Sequence, residues 1–436
     1  RSFLLNIYLM VTLKRGENYM EDYVIGVDIG SSKVCAAAGK RDKYGQAKII
    51  GVTSAECHGM KNGIIIDIDS TAESITNCIT RLESIVDTNI KNFYISLPGR
   101  IGTLISSQGM VAISSDDNEI TKKDVNRVKR ATQIINVPND KEIVDIIPKE
   151  YIVDGYSNIK EPIGMSGNRM ELDAYLVLAE TTIVNNLLKT VQKAGYNILG
   201  VVFAPMADAK AALKEEEMNQ GSALVNVGAD SMDISIYKDG ILAQTDTVSI
   251  GGNSITNDIS ICLKIPFSEA EKLKIKYGVI GENNLDLEGQ IKVNIGYNND
   301  ITINAETLTK VVEARVEELL VLIQKKLKES GQFQDISNIV IVGGGLSLIK
   351  GVEELGKYIF NKNFRVGSPE YVGAANPIYV SSVGVVKSLF TPGKIQNVNL
   401  KNKEAAITKE DTSHYKVENE GKGVLLKIKE FLTEFF

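Results

Sequence analysis

Residues 23–40, YVIGVDIGSSKVCAAAGK, and residues 222–240, SALVNVGADSMDISIYKDG, follow one plan. In the first, an apolar β-rich run from Val24 to Val27 leads into Asp28, then Gly30-Ser31-Ser32, and a second strand opens at Val34. In the second, Ala223–Val225 leads into Asn226, then Gly228 and a short turn, and an alternating strand passes through Ile234 and Ile236. Each reads as a hairpin whose tight turn exposes backbone N–H groups and small side chains, which suits a phosphate; Asp28 can hold a metal ion through water. Alignment sets Asn226 opposite Asp28 and Gly228 opposite Gly30, so the chain is expected to contain an internal duplication.

A third glycine cluster follows in NIVIVGGGLSLIKGVEELGKYIF (338–360): a buried strand at Ile339–Val342, Gly343-Gly344-Gly345, and a helix expected from near Leu348. Strand, glycine turn and helix N-terminus bring backbone close to a flat ligand or a phosphate. Each cluster alone is weak, because most glycine turns are only turns. Three, each directly after an apolar β-run, are much stronger. Between them, TVSIGGNSITNDIS supplies Gly251, Gly252 and Asn253, and SEAEKLKIKYG sets Glu271 and Lys274 on one helical face. A solvent-facing ion pair is the plain reading of those last two.

In this order the residues resemble the actin-like ATPase superfamily, an α/β fold of two ribonuclease H-like halves that clasp ATP and Mg²⁺. The resemblance implies a phosphate-one hairpin at Gly26–Lys33 (Asp28, Gly30, Ser31, Ser32, Lys33) and a phosphate-two hairpin at Asn226–Ser231 (Asn226, Gly228, Ala229, Asp230, Ser231). It further implies nucleotide contacts at Gly251, Gly252, Asn253, Glu271 and Lys274, adenosine glycines at Gly343, Gly344 and Gly345, and the metal at Asp28. The segment IPKEYIVDGYSNIKEPIGMSGNRMELDAYLVLAE (147–180) narrows the family. Its Tyr151, Asp154-Gly155, Pro162, Gly164, Gly167 and Arg169-Met170-Glu171 are similar to the inserted subdomain of the FtsA family of bacterial cell-division proteins. Read on its own, this region has a helix over Asp124–Gln133 with Val125 and Val128 inward, and strands from Tyr151 and Leu172 around a Gly/Pro-rich loop.

The implied division has residues 20–103 as the first half (subdomain IA), 104–181 as the insertion (IC) and 182–220 as the connecting part of IA. Residues 221–261 open the second half (IIA), 262–330 form its smaller subdomain (IIB), 331–372 complete IIA, and 373–392 return to IA. The polar, Lys/Glu-rich stretch 393–420 cannot bury a core and reads as a tether. It leads to GKGVLLKIKEFLTEFF, where Val424, Leu425, Ile428, Phe431, Leu432, Phe435 and Phe436 share one helical face. A lipid interface, a groove on another protein or the chain's own body can cover that face; with little net charge on the helix, burial of its aromatics in a membrane is the preferred reading. At the other end, the apolar run from Phe3 to Leu13 is too short to span a bilayer, and residues 1–19 read as an extension upstream of Met20.

Composition bounds the rest. The 436 residues suggest roughly three domain-sized units. Apolar content of 43%, charged content of 24% and a net charge of −6 exclude collagen-like, disordered and multi-span membrane proteins and argue against a nucleic-acid binder. Cys35, Cys57, Cys78 and Cys262, with only His58 and His414, do not form a zinc pattern and suit a reducing compartment.

The FtsA resemblance implies self-association into filaments, binding of FtsZ through residues 262–330 (Glu313, Arg315, Glu317 and Glu318 being candidates), later division proteins as further partners, and a place at the inner face of the membrane at the septum. Departures from the superfamily bear on chemistry. Ala204 precedes Pro205 where many members carry an acid, Asn226 stands where a metal-associated aspartate is common, and Ala229-Asp230 replaces Gly-Gly. Asp230 can either compensate for the lost carboxylate or repel phosphates. ATP binding with slow or no hydrolysis is therefore expected. A sugar kinase of the same fold lacks a placed carboxylate base here. A pilus-assembly adaptor predicts a tail docked on protein, and a shape-determining filament protein carries its inserted subdomain elsewhere.

Overall fold

The computed structural model describes residues 23–115, 117–281, 289–294 and 300–390. The extension 1–19, the tether 393–420 and the amphipathic helix 421–436 lie outside the described residues, as does part of 262–330.

Two five-stranded sheets carry the fold. The first contains β1 (Val24–Ile29), β2 (Lys33–Arg41), β3 (Ala47–Glu56), β6 (Asn92–Leu97) and β11 (Asn197–Phe203) in the order β11-β6-β1-β2-β3. The second contains β12 (Ser222–Val227), β13 (Met232–Lys238), β14 (Ile241–Val248), β17 (Asn338–Val342) and β18 (Asn363–Val366) in the order β14-β13-β12-β17-β18. In both, the first three strands are antiparallel neighbours and the last two run parallel to the first. The duplication expected from the hairpins thus extends over whole sheets.

Insertions distinguish the halves. Between β6 and β11 the first half carries a second sheet of β7 (Thr103–Ala112), β8 (Lys141–Val153), β9 (Tyr156–Ile159) and β10 (Arg169–Glu180), ordered β7-β10-β8-β9. Its core joins Val128, Met170, Leu172 and Leu176, and helix α2 (Lys122–Thr132) turns Val125 and Val128 inward as expected. Strand β8 starts ten residues before Tyr151, where the strand was expected, because Lys141–Glu150 pair with β10; Pro148 is tolerated where the register shifts beside Asp173/Ala174. Between β14 and β17 the second half carries the helices and hairpin of 252–329, ending in the long helix Ala305–Glu329. That helix buries Leu308, Val312, Val316, Leu319, Ile323 and Leu327 along one stripe.

Helices cover the sheets: α1 (Ile68–Val86) and α3 (Thr181–Lys193) on the first, and α6 (Gly252–Leu263), α7 (Phe267–Tyr277), α8 (Ala305–Glu329) and α9 (Val352–Phe360) on the second half, with a short α5 (Glu215–Asn219). Two helices join the halves: α4 (Ala204–Ala212) and α10 (Val380–Phe390). They share a core with both sheets through Ala37, Phe203, Leu224, Tyr237, Val340 and Val383. Gly384 of α10 lies so close to the backbone of Ala207 that a side chain there has no room.

Candidate functional site

The two hairpins that opened the sequence have the same geometry. In the first, Ile29 pairs with Val34, leaving Gly30, Ser31, Ser32 and Lys33 in the turn, closed by Gly30 N–H donating to Lys33 O at 2.9 Å. In the second, Val227 pairs with Met232, leaving Gly228, Ala229, Asp230 and Ser231, closed by Gly228 N–H donating to Ser231 O at 2.9 Å. Asp28 and Asn226 occupy the same position, opposite Cys35 and Asp233 respectively.

The second turn is clamped from behind. Gly252 N–H donates to Gly228 O at 2.9 Å and Asn253 N–H to Ala229 O at 2.8 Å, fixing the start of α6 to the turn. Gly345 N–H donates to Val227 O at 2.8 Å, and a Cβ on Gly252 would come within 2.6 Å of Gly345 Cα. A Cβ on Gly251 would meet the carbonyls of Gly228 and Ala229 at 2.6 Å, and one on Gly343 would meet Asn226 Oδ1 at 2.5 Å. Glycine is used at these positions because three backbones meet with no side chain between them. Gly344 alone in its run is exposed. No α-helix starts near Leu348: residues 346–349 continue as turns, Lys350 bridges to Val279, and α9 starts at Val352 after Gly351, whose φ is 89°.

Glu271 and Lys274 are not a solvent-facing pair. Lys274 is 7% exposed; its Nζ binds Glu271 Oε2 at 2.7 Å and donates to Thr256 Oγ1 at 2.7 Å and Gly252 O at 3.1 Å. Thr256 in turn hydrogen-bonds Glu271. Burial lowers the Lys274 pKa, the Glu271 carboxylate opposes that shift, and the charge of Lys33 adds to it. Lys33, on the other hairpin, is thus close enough to act electrostatically on Lys274 of α7.

Asp28 accepts a hydrogen bond from Ser96 on β6; burial raises its pKa and Ser96 holds it down. Asn226 faces the joining helices instead: its Nδ2 donates to Asp208 Oδ2 at 2.8 Å and to Ser381 Oγ at 3.2 Å, while Ser381 donates to Asp208 Oδ1 at 2.7 Å. Asp208 lies four residues after Ala204 in α4, is 3% exposed, and is pushed up to about 7 by burial against the lowering effect of those two donors. Attention to the position before Pro205 missed this carboxylate. Only its place one helical turn further, facing Asn226 across the joint, marks it out. Asp233 is held by Gly99 N–H at 3.0 Å and Thr247 Oγ1 at 2.9 Å.

The other overlooked element is the small hairpin β4 (Met60–Lys61) and β5 (Ile64–Ile65), in the place where the second half has its large insertion. Its corner is Asn62-Gly63, both with positive φ (52° and 71°). Asn62 N–H donates to Asp230 Oδ2 at 3.1 Å and Gly63 N–H to Ser31 Oγ at 3.4 Å, so one corner touches both turns. The Asn-Gly dipeptide was the available signal.

These residues fit a nucleotide polyphosphate. Two glycine turns face each other, each with small side chains, under a backbone corner, and the exposed Gly344 lies beyond a junction of bare backbones. Among the described residues no group of three or more His, Cys, Asp or Glu side chains is placed for a metal ion. One carboxylate, Asp28, fits an ion that arrives with phosphates, since Mg²⁺ keeps its waters and takes one or two protein carboxylates. The candidate FtsZ-facing residues are partly committed: Arg315 binds Asp258 of α6 at 2.5 Å and Glu318 at 2.7 Å, whereas Glu317 is exposed.

Solved structures share the fold. The chain superposes on a chain of the PilM-PilN type IV pilus biogenesis complex with a TM-score of 0.56 at 15% identity, covering 85% of this chain and 99% of that one. It also superposes on MreB5 of Spiroplasma citri bound to ADP, with a TM-score of 0.51 at 12% identity, covering 85% and 96%. At the sequence level, the family model described as Cell division protein FtsA matches residues 223–384, and the SHS2 domain inserted in FTSA matches 101–178. The Cell division protein FtsA of Bacillus subtilis (strain 168) is 34% identical over 387 residues, 88% of this chain and 87% of that protein. With an actin-like body, an SHS2 insertion and this identity over most of both chains, the chain belongs to the FtsA family of cell-division proteins.

Proposed function

We propose that this chain binds ATP with Mg²⁺ between its two halves and serves as a membrane adaptor of the division ring. In this reading it assembles into filaments at the inner face of the membrane, holds FtsZ through 262–330, and meets neighbouring copies and later division proteins through the insertion 104–181. Residues 421–436 attach it to lipid through the tether 393–420. The proposed division keeps 20–103, 182–220 and 373–392 as IA, and 221–261 with 331–372 as IIA. Family membership supports the cell-division role. The pair of matching four-residue turns, facing each other under Asn62-Gly63, is the observation that carries nucleotide binding. The apolar face of the terminal helix, read from sequence, supports the lipid contact.

Bound Mg²⁺ would offset phosphate charge. Around it, Asp28 is poised by Ser96 to accept a metal-bound water, Ser31 and Ser231 supply hydroxyls, and Lys33 supplies positive charge. Hydrolysis also needs a group that orients or deprotonates water. Ala204 cannot do this, and both oxygens of Asp208 are held by Asn226 and Ser381. Nucleotide therefore acts as a conformational ligand across the α4/α10 joint rather than as fuel.

The test is sedimentation on anionic liposomes with and without ATP and FtsZ, comparing the full chain with one lacking 421–436, together with phosphate release. Lipid binding lost on truncation and release below about 1 s⁻¹ are expected. Retention of lipid binding, or faster release, would overturn the corresponding part.

A further inference from the structure

The phosphate-two turn carries a negative charge that its sister lacks. Position for position, Ser32 of the first turn corresponds to Asp230 of the second. Each oxygen of the Asp230 carboxylate accepts one hydrogen bond, and the partners come from both sides of the cleft. Oδ1 accepts from Asn253 Nδ2 of α6 at 2.8 Å, and Oδ2 accepts from the Asn62 backbone N–H of the β4–β5 corner at 3.1 Å. The next N–H along, that of Gly63, donates to Ser31 on the opposite turn. Two successive backbone donors thus bridge the tips of the two turns, and the tips stand no further apart than one corner can reach.

We propose that Asp230 gates this cleft by latching the Asn62-Gly63 corner across it and by setting a like charge against the outermost phosphate of a nucleotide. The proposal rests on the nucleotide reading above. For a polyphosphate to lie between the turns, the Asn62 N–H must leave the carboxylate, and the carboxylate must face or swing away from the entering charge. Asp28 and Asp233 add negative charge at the strand ends, while Lys33, Lys61, Lys274 and Arg100, whose side chain packs against Gly63, provide the nearby positive charge. Each added phosphate increases the opposing charge, so the gate discriminates against ATP more than ADP. The site's affinity for triphosphate is then set by this chain's own side chain.

The experiment compares the full chain with Asp230→Asn, which removes the charge and leaves one oxygen to accept in place of two, and Asp230→Ser, which installs the residue of the sister turn. ATP and ADP affinities are measured by equilibrium titration with Mg²⁺, and amide hydrogen exchange is followed at Asn62 and Gly63. Loss of one like charge a few ångströms from a phosphate should tighten ATP at least about tenfold, and ADP by less. Protection of the Asn62 amide should fall in both variants, and in the unaltered chain on addition of ATP. If the unaltered chain binds ATP but both variants bind it equally or more weakly, or if ATP and ADP shift together, the gate is wrong while the nucleotide reading stands. If no folded form binds either nucleotide, the nucleotide reading falls and the gate with it. ATP binding that appears only in the variants would support the gate strongly.

Discussion

The turn at Gly30–Lys33 and the turn at Gly228–Ser231 have the same length and the same closing hydrogen bond, but they stand on different foundations. A Cβ on Gly30 would meet only Lys33 O of its own turn, at 3.0 Å. The second turn is welded to α6 and to the Gly343–Gly345 run by backbone hydrogen bonds, with no space for side chains at the junction. Below them the difference continues: Asp28 keeps its carboxylate near the cleft on Ser96, while Asn226 passes its amide to Asp208 at the joint between halves. One duplicated plan has become a lightly tied loop, held from outside by Cys57 N–H on Ser32 O at 2.9 Å and Gly63 N–H on Ser31 Oγ, and a clamped one. The second hairpin reaches the hinge helices through polar side chains, Asn226 to Asp208 and Ser381, whereas the first meets α10 by packing, Gly26 lying against Ser382 and Val385, so a ligand between the turns would be felt at the joint from both halves.

The comparison breaks first at the clamp. Gly252→Ala should cost about 3 kcal/mol or more, because the new methyl meets backbone that cannot move aside, and denaturant unfolding should show it. Next is the joint. Asp208 has its folded pKa raised from 3.8 to about 7, so the folded state holds this proton more tightly than the unfolded chain. The stability it contributes is full below about pH 4 and is lost as pH rises through about 7, a swing of about 4 kcal/mol. Asp208→Asn should flatten that part of the stability–pH curve; an unchanged curve would remove Asp208 from the joint. Lys274→Ala strips a donor from Gly252 O and Thr256 behind the fixed turn and should cost about 1–2 kcal/mol, read by thermal unfolding. Gly30→Ala should be the mildest, within about 1 kcal/mol, because the new methyl meets only Lys33 O of its own turn, at 3.0 Å. Equal losses for Gly30→Ala and Gly252→Ala would erase the distinction between the loops.

Much of this architecture was legible in advance because it depends on local pattern. Apolar runs ending in glycine turns marked β1, β12 and β17, and the repeat of the first plan in the second announced the paired sheets. The insertion showed itself through its own strand and turn residues, although β8 ran further back than alternation suggested. The glycines were assigned to ligand contact, yet several serve first to let backbones meet. Lys274 was assigned to the nucleotide by resemblance, while its spacing with Glu271 equally allowed a solvent-facing pair, because spacing reports the helical face and not what packs against it.

From the order of its residues alone, this chain determined its two like halves, its hairpin turns and its place in the FtsA family. Such features follow from dihedral preferences and from the alternation of apolar and polar side chains, which act over a few residues. Which loop is more tightly fixed, which carboxylate joins Asn226, and which corner closes over Asp230 were decided only in three dimensions. Those contacts join residues separated by 18 positions for Asp208 and Asn226 and by 168 for Asn62 and Asp230. No local pattern encodes such a pairing. It exists only once the sheets have packed and desolvation has forced each buried polar group to find a partner.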